Sequence, residues 1–141
     1  MEMIMYEQLT EFLDELPTSQ YGKWFCDQEN DGSPDHPIQL PFVIYNPIVT
    51  KLLETIQQFV DDHRDLELTR YGEILEHANI QWGYESMRRA DVSALDGKTV
   101  MALLVGAMRA ERFSDGTFLG FLRDGSIEKW LLRLKEVDQV R

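Results

Sequence analysis

The sequence predicts a mainly α-helical single domain spanning residues 1–141. It should have five or six helices and a short extended or β-hairpin element at about residues 20–45. Three observations carry that reading. Apolar residues recur at helical spacing through most of the chain, with capping residues and glycine stops between the runs. Residues 20–45 break the pattern and hold three prolines, Pro34, Pro37 and Pro41. A chain of 141 residues with 43% hydrophobic side chains also matches the size and composition of one globular domain.

The elements follow in order. Residues 3–16 place Met5, Leu9, Phe12, Leu13 and Leu16 on one helical face, and Pro17 follows the stop. Glu7, Glu11 and Glu15 form the opposite face. Like charges four residues apart cost a few tenths of a kcal/mol per pair, so that face calls for water or a cationic neighbour. Residues 20–45 read as two short extended segments around a turn at Asp31–Gly32. Their prolines argue against a central strand and for a hairpin or an ordered arm over helices. Asn46 and Pro47 make a helix start, and Ile48, Val49, Leu52, Leu53, Ile56, Phe59 and Val60 form its stripe to about Asp62. Thr69 is read as the cap of a shorter helix carrying Tyr71, Ile74, Leu75 and Ala78. Residues 79–93 read as a loop.

Asp96 or Ser93 opens the most apolar helix, which runs to Phe113 and is stopped by Gly116. A short helix through Phe118, Phe121 and Leu122 ends at Gly125. Ser126 is read as the cap of the last helix, with Ile127, Trp130, Leu131, Leu134 and Val137 on one side.

The formal charge of −11 is unevenly placed. Residues 1–67 hold 14 Asp and Glu against 3 Lys and Arg, a net of −11, whereas residues 68–141 hold 11 of each. Phosphate backbones are bound by clustered Lys and Arg, so direct binding to nucleic acid is not expected. An acidic half suits a protein partner with a basic surface, and charge of that sign speeds the encounter. The longest apolar run, Val100–Met108, has nine residues where a membrane span needs about 20. Glu2 stands where a signal peptide would be positive, so a cytoplasmic chain is expected.

The stretch from Gly106 to Gly116, "GAMRAERFSDG", poses the main question about a site. On the helical wheel Glu111 continues the line Val100–Leu104–Ala107 and Arg112 continues Met101–Val105–Met108, so both emerge from core-facing rows. A carboxylate near a helix C-terminus is disfavoured by the dipole, and no residue three or four away neutralises Glu111. Its expected partner is Arg88 or Arg89. Two readings stand: a partly buried ion pair that fixes the central helix, or a polar ligand pocket around Arg88, Asp91, Arg109, Glu111 and Arg112. An aromatic wall for such a pocket would come from Trp24, Trp82 and Tyr84.

Metal chemistry finds little support. The stretch Asp27–Ile38 lacks the bidentate carboxylate of a calcium loop at its twelfth position. Glu73 and His77 sit at helical spacing but need further ligands. Cys26 stands beside Asp27, which raises rather than lowers a thiol pKa. There is no P-loop, no dinucleotide-type glycine pattern and no G-x-S-x-G, so no catalytic residue, metal or cofactor is expected.

The stretches "ENDGSPDHPIQLPFVIY", "LTRYGEILE", "SMRRADVSALD" and "MRAERFSDGTFLGFLRDGSIEKWLLRLKE" together resemble a family of small bacterial proteins known as domain of unknown function 6508. The resemblance runs over nearly the whole chain. It implies a bacterial or mobile-element origin and transfers no activity or site residue. The leading functional expectation is a small acidic regulatory or protein-interaction domain whose surface is Glu7, Glu11, Glu15, Asp61, Asp62 and Asp65. The alternatives are a small-molecule-binding protein or enzyme using the pocket above, and an acidic mimic that inhibits a nucleic-acid-binding protein.

Overall fold

The computed structural model of the chain describes residues 5–16, 20–25, 34 and 42–140. The turn at Asp31–Gly32, the Asp27–Ile38 stretch (apart from Pro34), Cys26 and His36 lie outside those residues. The described part holds seven α-helices and one two-stranded antiparallel sheet, against the five or six helices expected.

Helix α5 (Gly97–Ala110) is the centre. Every residue from Val100 to Ala107 is buried, and α2 (Pro47–Asp62), α3 (Tyr71–His77), α6 (Thr117–Arg123) and α7 (Ser126–Gln139) pack around it. Helix α2 buries Val49, Leu52, Ile56, Phe59 and Val60 as its stripe predicts. Two of the four expected caps are present: Asn46 Oδ1 accepts from the Ile48 N–H at 3.0 Å, and Asp96 Oδ1 from the Thr99 N–H at 2.8 Å. Helix α7 buries Ile127, Trp130, Leu131 and Leu134, and Trp130 packs on Phe121 at 5.2 Å between ring centroids.

Several boundaries differ from the pattern. Residues 3–16 are not one helix: α1 is only Glu7–Thr10 and continues as a 3₁₀ segment, Glu11–Asp14. The tighter turn still buries Leu9, Phe12 and Leu16, with Tyr6 in place of Met5, which is exposed. Thr69 caps nothing, because Leu68–Arg70 is itself a 3₁₀ turn entered through Glu67 in the left-handed region (φ 52°). Ser126 is the first residue of α7 rather than its cap. Gly125 takes that place with φ 85°, and Asp124 Oδ1 accepts from the Ser126 N–H at 2.9 Å. Helix α5 stops at Ala110, three residues short of Phe113. The supposed loop 79–93 contains α4 (Tyr84–Arg89), whose six residues bury only Met87 and so carry no readable stripe.

The extended element is a hairpin. Strand β1 (Gly22–Phe25) pairs antiparallel with β2 (Phe42–Tyr45), Gly22 opposite Tyr45 and Trp24 opposite Val43. Those two pairs share the face turned to α6, where Tyr45 meets Phe118 edge-on and Trp24 covers Gly116. The other face shows Phe25 and Phe42 in ring contact and leaves Ile44 exposed.

Two glycines test this packing with opposite signs. A Cβ at Gly97 would strike the hydroxyl end of the buried Tyr6 ring, whereas a Cβ at Gly72 in α3 meets nothing within 4 Å. Gly97→Ala should therefore destabilise by about 1–3 kcal/mol. Gly72→Ala should stabilise by about 0.5–1 kcal/mol through helix propensity and chain entropy. Urea unfolding of the two variants checks both signs.

Candidate functional site

Glu111 sits just past the end of α5, and its charge is met by backbone rather than by arginine. Its carboxylate accepts from the Gly116 N–H at 3.0 and 3.1 Å and from the Phe118 N–H at 2.9 Å. Tyr45 stands beside them: its hydroxyl accepts from the Leu119 N–H at 3.1 Å and lies near the Glu111 carboxylate. Burial first, and the carboxylate second, push the Tyr45 phenol well above its usual range. Together the two side chains cap α6. Gly116 stands at the cap position with φ 91° and no side chain to offer, and Trp24 fills the space one would occupy. A negative charge suits a helix N-terminus as well as it offends a C-terminus, so Glu111 serves the following helix.

The expected partners of Glu111 are elsewhere. Arg88 and Arg89 both reach Glu85, at 3.0 and 3.4 Å, so the Glu111–Arg88/Arg89 pair is corrected to a carboxylate-to-amide cap. Arg109 donates to Gln57 Oε1 at 3.2 Å, and Gln57 Nε2 donates to Asp61 Oδ1 at 3.2 Å. Arg112 is exposed. The Trp82 N–H donates to the Gly106 carbonyl at 3.1 Å, and its ring meets Tyr71 and Phe113. Tyr84 packs on Phe121 and donates to Asp124 Oδ2 at 2.7 Å. Burial, and then Asp124, push its phenol up to about 12. At the RAER helix end Glu111 therefore links α5 to α6.

Arg88 and Asp91 line two adjoining spaces against α7. A groove of about 500 Å³ runs between residues 90–93 and α7, lined by Asp91, Val92, Ser93, Lys129, Leu132 and Glu136 among others. It adjoins a cavity of about 80 Å³ lined by Arg88, Asp124, Gly125, Ser126 and Lys129. Lys129 Nζ donates to the carbonyls of Arg88 and Ala90 at 3.0 and 3.3 Å, and Arg133 Nε to that of Leu95 at 3.0 Å. Ser93 donates to Asp91 through its hydroxyl at 2.7 Å and its amide at 3.0 Å, which holds the Asp91 carboxyl below the usual range. Sequence reasoning missed Ser126 and Lys129. The available signal was the Asp-Gly-Ser turn before α7, whose aspartate bonds two residues on.

The acidic residues gather mainly at α1. Tyr6 stacks on Phe59 at 5.5 Å, while Glu11 and Glu15 share a groove of about 300 Å³ with Lys51 and Thr55 of α2. The two segments are therefore antiparallel, which sets Glu7 toward the α2 C-terminus. Phe12 also lines this groove, and Gln58 and Asp62 continue the row of Lys51 and Thr55 along α2. Asp61 lies on the other side of α2, with Gln57 and Arg109. Asp65 is exposed in the turn that follows. Glu73 pairs with Arg70 at 2.9 Å. Among the described residues no helix is long and apolar enough to cross a membrane.

Removing the Glu111 charge should cost about 1.5–3 kcal/mol, as for other hydrogen bonds to a charged group. Arg88→Ala, which breaks an exposed pair with Glu85 and a contact with the Tyr84 ring, should cost no more than about 1 kcal/mol. Denaturant unfolding of Glu111→Gln and Arg88→Ala makes the comparison, and a larger loss for Arg88 would contradict the cap. Stability should also fall with rising pH. Tyr84 titrates near 10.0 unfolded and about 12 folded, so its contribution is full below pH 10 and is lost as pH climbs through 12. Tyr84→Phe should flatten the slope of stability against pH over that window.

The family whose sequence model matches residues 4–140 is described as a family of unknown function (DUF6508), and the chain belongs to it. No curated protein and no solved structure matches the chain.

Proposed function

We propose that this DUF6508 chain is a regulatory protein-interaction domain of the bacterial cytoplasm, and that its α1–α2 face docks a basic surface of another protein. One observation carries the reading. The antiparallel packing of α1 on α2 collects Glu11 and Glu15 around a groove that Phe12 also lines, with Glu7 and Asp62 along its continuation. Among the described residues lining that groove, Lys51 is the single cation.

Such a face offers what a lysine- or arginine-bearing segment needs. Its carboxylates are exposed and keep their hydration until contact. The flanking charges steer the encounter over about one Debye length, roughly 8 Å at physiological salt.

The test reverses Glu7, Glu11 and Glu15 to lysine together. The variant should unfold within about 0.5 kcal/mol of the native chain, since these are exposed positions. Affinity capture at low salt should recover a partner with the native chain. It should lose that partner with the variant, and with the native chain at high salt. Capture that survives both treatments would remove this reading.

A further inference from the structure

The cavity at the start of α7 offers a second, independent site. We propose that it binds hydrogen phosphate, either as the free ion or as a protonated phosphate monoester. Ser126 is 4% exposed, lines the cavity, and its hydroxyl makes no hydrogen bond among the described residues. The hydroxyl opens on the cavity, where a ligand oxygen would pair with it. The hydroxyl sits at the N-terminus of a 14-residue helix, where the positive end of the macrodipole favours an anion.

Two cations border the same space. Lys129 gives two of its three N–H bonds to the carbonyls of Arg88 and Ala90 and retains one. Arg88 holds Glu85 through Nε and lies 5.8 Å from the Tyr84 ring centre, leaving its terminal N–H groups to donate. The volume of about 80 Å³ admits a small ion and excludes a nucleoside.

Asp124 decides which anion. Its Oδ1 accepts from the Ser126 N–H and its Oδ2 from the Tyr84 hydroxyl, so the carboxylate is fixed at the cavity wall. A carboxylate is an acceptor only. It repels an oxyanion that has no proton and accepts a hydrogen bond from one that has. Inorganic phosphate carries a P–OH at neutral pH. Sulfate carries none, and a monoester carries one only below its second pKa, about 6. The site should therefore choose phosphate over sulfate, although the two ions have the same shape. The adjoining 500 Å³ groove, reached past Gly125 and Lys129, would hold the body of a monoester.

The experiment is an amide NMR titration of the full chain at constant ionic strength with sodium phosphate, sodium sulfate and glycerol phosphate. Phosphate should shift the Gly125 and Ser126 amides saturably at neutral pH, and sulfate should bind at least about tenfold more weakly. Ser126→Ala should weaken phosphate about fivefold, the loss of one hydrogen bond. Asp124→Asn keeps the acceptor for the Ser126 amide and should let sulfate bind as well as phosphate. Glycerol phosphate that binds below pH 6 and is lost above it identifies a phosphorylated ligand. One that fails at both while phosphate binds identifies the free ion. No saturable shift, equal binding of sulfate to the native chain, or an unchanged response in Ser126→Ala means an adventitious ion only and overturns the proposal.

Discussion

Helix α5 is apolar on every side from Val100 to Ala107, and an apolar cylinder must be covered all round. That constraint organises the molecule. Helices about 10 Å across pack at interaxial distances of roughly 8–10 Å, so one fully buried helix needs a ring of neighbours. Here α2, α3, α6 and α7 supply it. Helices as short as α3, α4 and α6 would not persist alone in water. They exist because α3 and α6 close parts of that ring through Leu75 and Phe118, while α4 sets Met87 against Gly106, and all three side chains are fully buried.

Burying a helix raises a second requirement, because its ends carry unpaired amides and carbonyls. Asp96 serves the start of α5. At the other end Glu111 ends α5 and caps α6, and Tyr45 from β2 stands beside it and accepts from the Leu119 amide. The hairpin depends on that link, since two strands are marginal without a surface to cover. Trp24 over Gly116, and the Arg123 bond to the Gly22 carbonyl at 3.4 Å, complete its attachment.

This division explains what could be read from the sequence. Helices α2, α5 and α7 were legible because each has 14 or more residues, which gives several turns of periodicity, and α2 and α5 also have strong caps at Asn46 and Asp96. Helix α4 was not, since six residues with one buried methionine make no period. The singular character of Glu111 was visible on the helical wheel, but its partner was not. Reasoning by i±3 and i±4 neighbours and by opposite charge passes over amides five and seven residues on. Those become reachable only when Gly116 turns the chain through a left-handed conformation. Likewise Arg88 and Asp91 were read as belonging with Glu111, whereas Tyr84, bonded to Asp124, sets α4 over the junction of α6 and α7.

The same bookkeeping of partners bears on charge. Residues 68–141 are formally neutral, and most of their eleven cations are engaged locally, while Arg112 and Lys135 are exposed. Lys129 and Arg133 hold main-chain carbonyls, Arg109 holds an amide, and Arg70, Arg88 and Arg89 hold neighbouring carboxylates. In the first half Asp61 and Asp62 meet the neutral amides of Gln57 and Gln58, which donate hydrogen bonds without cancelling charge. Screening in salt limits any exposed charge to about 10 Å, so an approaching molecule responds to the nearest face and not to the total. The α1–α2 side is therefore strongly negative to a partner that docks there. The α7 side presents fixed cations beside fixed carboxylates, a mixture suited to a small polar ion and not to a charged surface.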